Sequence, residues 1–272
     1  MGDANGAAAS GSTGDGSIGA NDVMSIASAS KWLYSSYWVQ KVRGPAGLNA
    51  SDIQFFNLQS GYTDFSSCSA GRTGTVAECL DLPSSGGKTN GTLEPSTVGS
   101  FDYGGGHMQK HAALNGLGGL KNGPLADAIV GQIGTEIRLA YSEPQLAGGA
   151  VISAAEYAKL LRKIVGGQLA MHDALGVHPV CTDTTGGVCP TALSSPAPRG
   201  EQWHYSIGHW VEDDPVVGDG AFSSPGAFGF YPWVDASRHW YGIVARTDPL
   251  GALTSVYCGR LIRKAWLSGT AQ

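Results

Sequence analysis

A chain of 272 residues is long enough for one large domain with a substantial core. Its net charge of −5 and its 14% of charged residues leave no basic patch for phosphates, which argues against a nucleic-acid binder. No apolar run approaches the ~20 residues needed to span a membrane, and 41 glycines point to many glycine-dependent loops.

Residues 1–22 are rich in Gly, Ala and Ser, lack a strand-like apolar run and read as irregular coil. From Met24 to about Val42 the pattern predicts a helix that ends before Gly44-Pro45. Residues 49–60 carry a shorter helical pattern, and a loop-rich region follows to about Ser100. Helices are expected over 106–120, 124–140 and 153–175, the last with Tyr157, Leu160, Leu161 and Ile164 on one face. After about residue 200 the segments WHYSIGHWVED, GAFGFYPWVD and HWYGIVAR predict three strands. The tail SVYCGRLIRKAWL predicts a closing amphipathic helix.

Four of the five cysteines fall in close pairs, Cys68 with Cys79 and Cys181 with Cys189. The Gly- and Thr-rich stretches between them lack zinc-ligand spacing, so two short disulfide loops and an oxidising compartment are expected, with a secreted or periplasmic location. Five reduced cysteines in a cytosolic protein is the alternative. Cys258 is left over, as a buried thiol.

The chemistry begins at Ser28 and Lys31. A serine three residues before a lysine on a helix puts both side chains on one face, and a partly desolvated lysine can take the serine's proton. The pattern arises by chance roughly once in a chain of this length. A second copy, Ser85–Lys88, lies in SSGGK, where two glycines enforce no helix. His107 and His111 have the i, i+4 spacing of a zinc pair, but Met108 stands where a metalloprotease needs Glu; no metal and no cofactor are expected. No Gly-x-Ser-x-Gly elbow occurs.

The segment MSIASASKWL resembles the active-serine segment of the penicillin-recognising serine hydrolases: β-lactamases, D,D-peptidases and family VIII carboxylesterases. Further likenesses follow in family order: FFNLQSGYTDF, FDYGGGHMQKHAAL at the Tyr-x-Asn position, SAAEYAKLLRKIV, HYSIGHWVED, and SPGAFGFYPWVDASRHWYGIVAR for the closing strand pair. The resemblance implies an α+β fold, an antiparallel sheet flanked by helices with an inserted, mostly helical lobe. It divides the chain into the segment 1–22, an α/β part of 23–59 and 200–272, and a lobe of 60–199. It also implies Ser28 as acylated nucleophile, Lys31 as its base and Tyr103 as second base or proton shuttle, the phenolate being favoured by Lys31. The oxyanion hole falls to the N–H groups of Ser28 and Ser224. Ser223 stands in the substrate-binding strand, and His107 is placed along the same cleft as Tyr103.

Three departures matter. Ala221-Phe222-Ser223 stands where the family has Lys-Thr-Gly or His-x-Gly, removing the cation that holds a penicillin carboxylate. Gly105 replaces the Tyr-x-Asn asparagine. Only 27 residues precede Ser28, which suggests an abbreviated N-terminus with an open sheet edge. The expected activity is hydrolysis of neutral small-molecule or oligomeric esters or amides, with aromatic residues around Phe228–Trp233 contacting the acyl group. The alternatives are a β-lactamase or D,D-peptidase, and a non-catalytic binding or sensory module.

Overall fold

A computed structural model describes residues 1–14, 16–68, 74–185 and 187–272. Its centre is an antiparallel eight-stranded sheet in the order β2-β1-β13-β12-β11-β10-β9-β7. These strands are β1 (Gly2–Asp3), β2 (Gly6–Ala7), β7 (Val180–Cys181), β9 (His204–Ser206), β10 (His209–Glu212), β11 (Ala221–Ser223), β12 (Tyr231–Val234) and β13 (Tyr241–Val244). A smaller sheet joins β3 (Val23–Ser25), β6 (Ala150–Ser153) and β5 (Ala140–Tyr141), and β4 (Phe101–Asp102) pairs in parallel with β8 (Ala192–Ser194). The helices are α1 (Ser30–Lys41), α2 (Ala50–Phe56), α3 (Gly106–Ala112), α4 (Asn122–Ile133), α5 (Ala154–Val165), α6 (Met171–Ala174) and α7 (Gly251–Ser268). The α+β class and the helix-flanked antiparallel sheet agree with the expectation.

Alternation of side chains across the sheet sets the layers. Trp210, Ser223, Trp233 and Gly242 are successive cross-strand partners and share one face, which α7 covers. Gly259 makes the close approach possible, because a Cβ there would lie 2.3 Å from the Tyr231 ring. The opposite face carries His209 and Phe222, with α1 reaching it through Trp32 stacked on His209 at 5.6 Å. Helix α5 packs against β13 and β12, where Tyr157 meets Phe230 edge-on.

The three strands expected after residue 200 are five, because WHYSIGHWVED folds at a tight turn into β9 and β10, and β11 lies before the second expected segment. Ile207 and Gly208 both have positive φ (36° and 79°) and close a two-residue hairpin between β9 and β10. Pro232 is tolerated inside β12 because its carbonyl accepts from the Ser224 N–H just past the β11 ladder, where no second bond is required. The helix expected from Met24 begins as strand β3 and becomes helical only from the 3-10 turn Ala27–Ala29. The pattern over 153–175 is broken at Gly166 and Gly167, giving α5 and α6.

The N-terminus is not irregular coil throughout. β1 and β2 form a small hairpin that pairs with β13 through Gly2 and Tyr241, so the edge expected to be open is covered. Both expected disulfides are present, Cys68–Cys79 and Cys181–Cys189; residues 69–73 and 186 within their loops lie outside the described residues. Cys258 is free but half-buried, not buried as expected, since it sits on the rim of α7. Among the described residues no helix is long and apolar enough to cross a membrane.

Under α7 lies a buried ionic cluster. Arg263 bonds Glu212 at 2.9 Å and Asp219 at 2.7 Å and donates to the Tyr231 hydroxyl, while Arg260 joins Glu212 to Glu201. Removing one member of a buried set leaves the others uncompensated, whereas an exposed pair contributes little. Arg263→Ala should therefore cost about 3 kcal/mol or more, against under about 1 kcal/mol for the exposed Arg138→Ala. Urea unfolding followed by circular dichroism checks this, and equal shifts would show that the cluster is not structural.

Candidate active site

The turn that carries Ser28 is built from strand β3, a strained residue and the start of α1. Ala27 has φ 43°, a left-handed conformation costing about 1–2 kcal/mol for a non-glycine residue. Bonds from separate elements hold it. The Ser30 hydroxyl donates to Ala27 O at 2.6 Å and accepts from Ala150 N, and Tyr157 donates to Ala29 O at 3.0 Å. Gly226 passes so close that a Cβ would lie 2.2 Å from Ile26 O. Ser28 itself remains partly exposed.

Lys31, one turn on, is 3% exposed, and its Nζ donates to Ser28 Oγ at 3.0 Å and to Ala147 O at 3.2 Å. Burial alone lowers its pKa to about 7. Tyr103 follows β4, where its N–H donates to Ser194 O. The Lys31 Nζ lies 4.5 Å from the centroid of its ring, and the phenol is hydrogen-bonded to Ser28 and Trp210. Burial pushes the phenol above its ordinary range, and those hydrogen bonds only partly oppose this. Tyr103 is therefore a neutral phenol, not the Lys31-favoured phenolate that the resemblance implies.

The other expected site residues go elsewhere. The Ser224 N–H donates to Pro232 O at 3.2 Å, so it does not face the cleft as an oxyanion donor. Its hydroxyl instead donates to Ser28 O at 3.2 Å, tying β11 to the Ser28 turn. Among the described residues no backbone acceptor engages the Ser28 N–H, which leaves it free to meet an oxyanion. Ser223 is fully buried on the α7 face, and its hydroxyl has no partner among the described residues. It does not line the cleft.

His107 is likewise fully buried away from the cleft. Its Nδ1 accepts from the Ser60 N–H and lies 2.8 Å from the Ser60 hydroxyl, so Nε2 carries the proton and donates to Asp102 O at 3.0 Å. Burial lowers its pKa to about 3, opposed by the bond to Asp102 O and aided least by the Lys31 charge, so it is a neutral clamp beside Tyr103. His111 bonds Tyr34 at 2.7 Å and Asp52 at 3.0 Å.

In front of Ser28 opens a chamber of about 360 Å³, with Tyr103, Trp203, Trp210, Pro225, Leu253 and Val256 in its walls and no charged residue in its lining. The aromatic wall is thus Trp203 and Trp210. The stretch Phe228–Trp233 supplies none of it, since Phe230 and Trp233 are core residues and Phe228 faces outward. Trp210 stacks on Tyr103 at 5.2 Å. At Gly105 a Cβ would lie 2.7 Å from the Phe65 ring, so the space an asparagine would need is filled. Sequence reasoning missed Ala147, Trp210 as the partner of Tyr103, and α7 as a wall. All three depend on contacts between distant segments, and only the aromatic spacing of HYSIGHW gave a trace of them.

No protein-family model and no curated protein matches the chain. Solved structures do. A candidate β-lactamase from Bacteroides dorei superposes with a TM-score of 0.61 at 18% identity, over 92% of this chain and 87% of its own. A candidate 6-aminohexanoate-dimer hydrolase from Bacillus anthracis gives 0.56 at 13% identity, over 94% and 76%. A D-stereospecific amidohydrolase from a Streptomyces species gives 0.55 at 14% identity, over 94% and 89%. At these identities the likeness is one of fold, and on that ground the chain has a β-lactamase-like fold.

Proposed function

We propose that the protein is a serine hydrolase that forms an acyl-enzyme on Ser28 and cleaves neutral esters or amides. The observation that carries this reading is the buried Lys31 amine 3.0 Å from the Ser28 hydroxyl, with a pKa lowered to about 7. Lys31 in its neutral form takes the proton as Ser28 Oγ attacks the carbonyl carbon. The tetrahedral oxygen accepts from the Ser28 N–H. The Tyr103 phenol gives its proton to the leaving oxygen or nitrogen, and the Lys31 ammonium restores it. Water then attacks the ester carbonyl with the same groups in reversed order.

Neutral substrates are favoured by the uncharged, largely apolar chamber. An unpaired carboxylate placed there loses its hydration without compensation, which weighs against penicillins and D-Ala-D-Ala peptides. The strand position that would carry the missing cation is Ala221, a buried methyl group, and Phe222 beside it points to the opposite face, where Arg238 lies over its ring at 5.6 Å and donates to His172 O and Leu175 O. The similarity to a candidate 6-aminohexanoate-dimer hydrolase gives amide cleavage a precedent on this fold. The two disulfides support a secreted or periplasmic location.

Ser28→Ala and Lys31→Ala should each lower kcat/KM for p-nitrophenyl butyrate by at least about 10³-fold, and the double variant should be no worse, because attack and proton transfer act as a unit. Wild-type rates in Ser28→Ala would end the assignment. On the same preparation, p-nitrophenyl butyrate should exceed nitrocefin in kcat/KM by about tenfold or more. The reverse ratio would make the protein a β-lactamase.

Lys31 must be unprotonated to act, so kcat/KM should rise with pH and level off above about 7, losing about tenfold per unit below it. A pH–rate profile from 5 to 9 reads this directly. A plateau extending down to pH 5 would remove Lys31 as the base.

A further inference from the structure

A second depression of about 380 Å³ adjoins the Ser28 chamber. Ala197 lines both, with Pro196 on the chamber side and Pro198 on the groove side, so a ligand that runs past Ala197 leaves apolar surroundings for polar ones. The two walls are also one body: Thr182 of the groove donates to Trp203 O at 2.6 Å, and Glu201 of the groove accepts from Trp203 Nε1 at 2.8 Å.

The groove's polar groups divide into engaged and open ones. Thr182 and Glu201 are engaged, the latter also by Arg260 at 2.6 Å, and Asp183 Oδ1 holds the Thr185 N–H and hydroxyl at 2.7 and 2.6 Å. Among the described residues, Asp183 Oδ2, the Thr184 hydroxyl and the exposed Arg199 guanidinium remain open, and the Ser195 oxygen, which accepts from Ala197 N, keeps its proton to donate. Donors and acceptors are therefore both presented. Arg260 offsets Glu201 and Arg199 offsets Asp183, so no net charge selects an ion. A group that donates and accepts without charge, a hydroxyl, suits this surface best.

We propose that this groove binds a hydroxylated part of the substrate, making the preferred substrates esters that join an apolar acyl group to a polyol or sugar. The proposal rests on the serine-hydrolase reading. The chamber takes the apolar portion, the scissile carbonyl lies at Ser28, and the hydroxylated portion passes Ala197 into the groove.

The test compares ethyl butyrate with glucose 6-butyrate by pH-stat titration of the released acid. Wild type should favour the sugar ester by about tenfold or more in kcat/KM, mostly through KM, as one or two added hydrogen bonds would give. In the double variant Thr184→Val/Arg199→Ala, whose sites are exposed, the ratio should fall to within about twofold of one. Cleavage of ethyl butyrate without a preference for the sugar ester, or a preference that survives the double variant, overturns the groove proposal alone. No Ser28-dependent cleavage of either ester overturns the serine-hydrolase reading and this proposal with it.

Discussion

An amine held out of water one helical turn from a hydroxyl is an unfavourable arrangement, and much of the structure around Lys31 can be traced to it. Its charged form is disfavoured by burial, opposed by the acceptors Ser28 Oγ and Ala147 O and by the Tyr103 ring face at 4.5 Å. The balance leaves the pKa near 7 in the folded chain, below the ordinary lysine range of the unfolded one. The unfolded chain thus binds more protons between those values, so Lys31 makes stability rise with pH across that window and works against folding at neutrality. In the proposed reaction this arrangement keeps a base ready at neutral pH at the expense of stability.

That cost is matched by strain in the turn before it. Ala27 holds a left-handed conformation, and the turn survives because β6, α5 and β11 each contribute a hydrogen bond to it or to Ser30. Ser224 belongs to this scaffold. The end of β11, aligned by resemblance with a substrate-binding strand, instead braces the turn that carries Ser28 through Ser224, and Ser223 beside it turns toward α7 with an unsatisfied hydroxyl. In the proposed reaction, substrate reading would fall to the tryptophan walls and to the loop around Ala197.

The parts legible in the sequence are those fixed by short spacing. Ser28 and Lys31 meet because three residues of helix bring them together whatever else the chain does. The cysteine pairs close loops of only 11 and 8 residues of separation. The substrate strand could be aligned, but its facing could not: a one-residue shift of register exchanges the two sides of a strand, and Ser223 and Ser224 were assigned to the cleft by position alone. His107 looked available because it follows Tyr103 by only four residues, yet Ser60, 47 residues earlier in the chain, captures its ring. The β1–β2 hairpin was hidden because its strands are two residues each and glycine-rich, carrying no alternation to read.

The chamber's walls are held by the ionic cluster on their far side. Trp203 is fixed through Glu201, which Arg260 joins to Glu212, and Glu212 lies two residues after Trp210 on β10. Arg263 carries the same connection to Asp219 and Tyr231. Both arginines are on α7, whose first turns supply Leu253 and Val256 to the chamber. The helix, the two tryptophans and Tyr103, stacked on Trp210, are therefore joined in one connected set of contacts. A chemical group as soft as a neutral phenol needs such a unit: its proton is useful only if the oxygen stays within reach of Ser28 through the reaction, and buried charge pairs resist displacement more steeply than apolar contacts do. In the proposed reaction, the cluster that adds least to binding directly would thus be what keeps the proton path of the site in register.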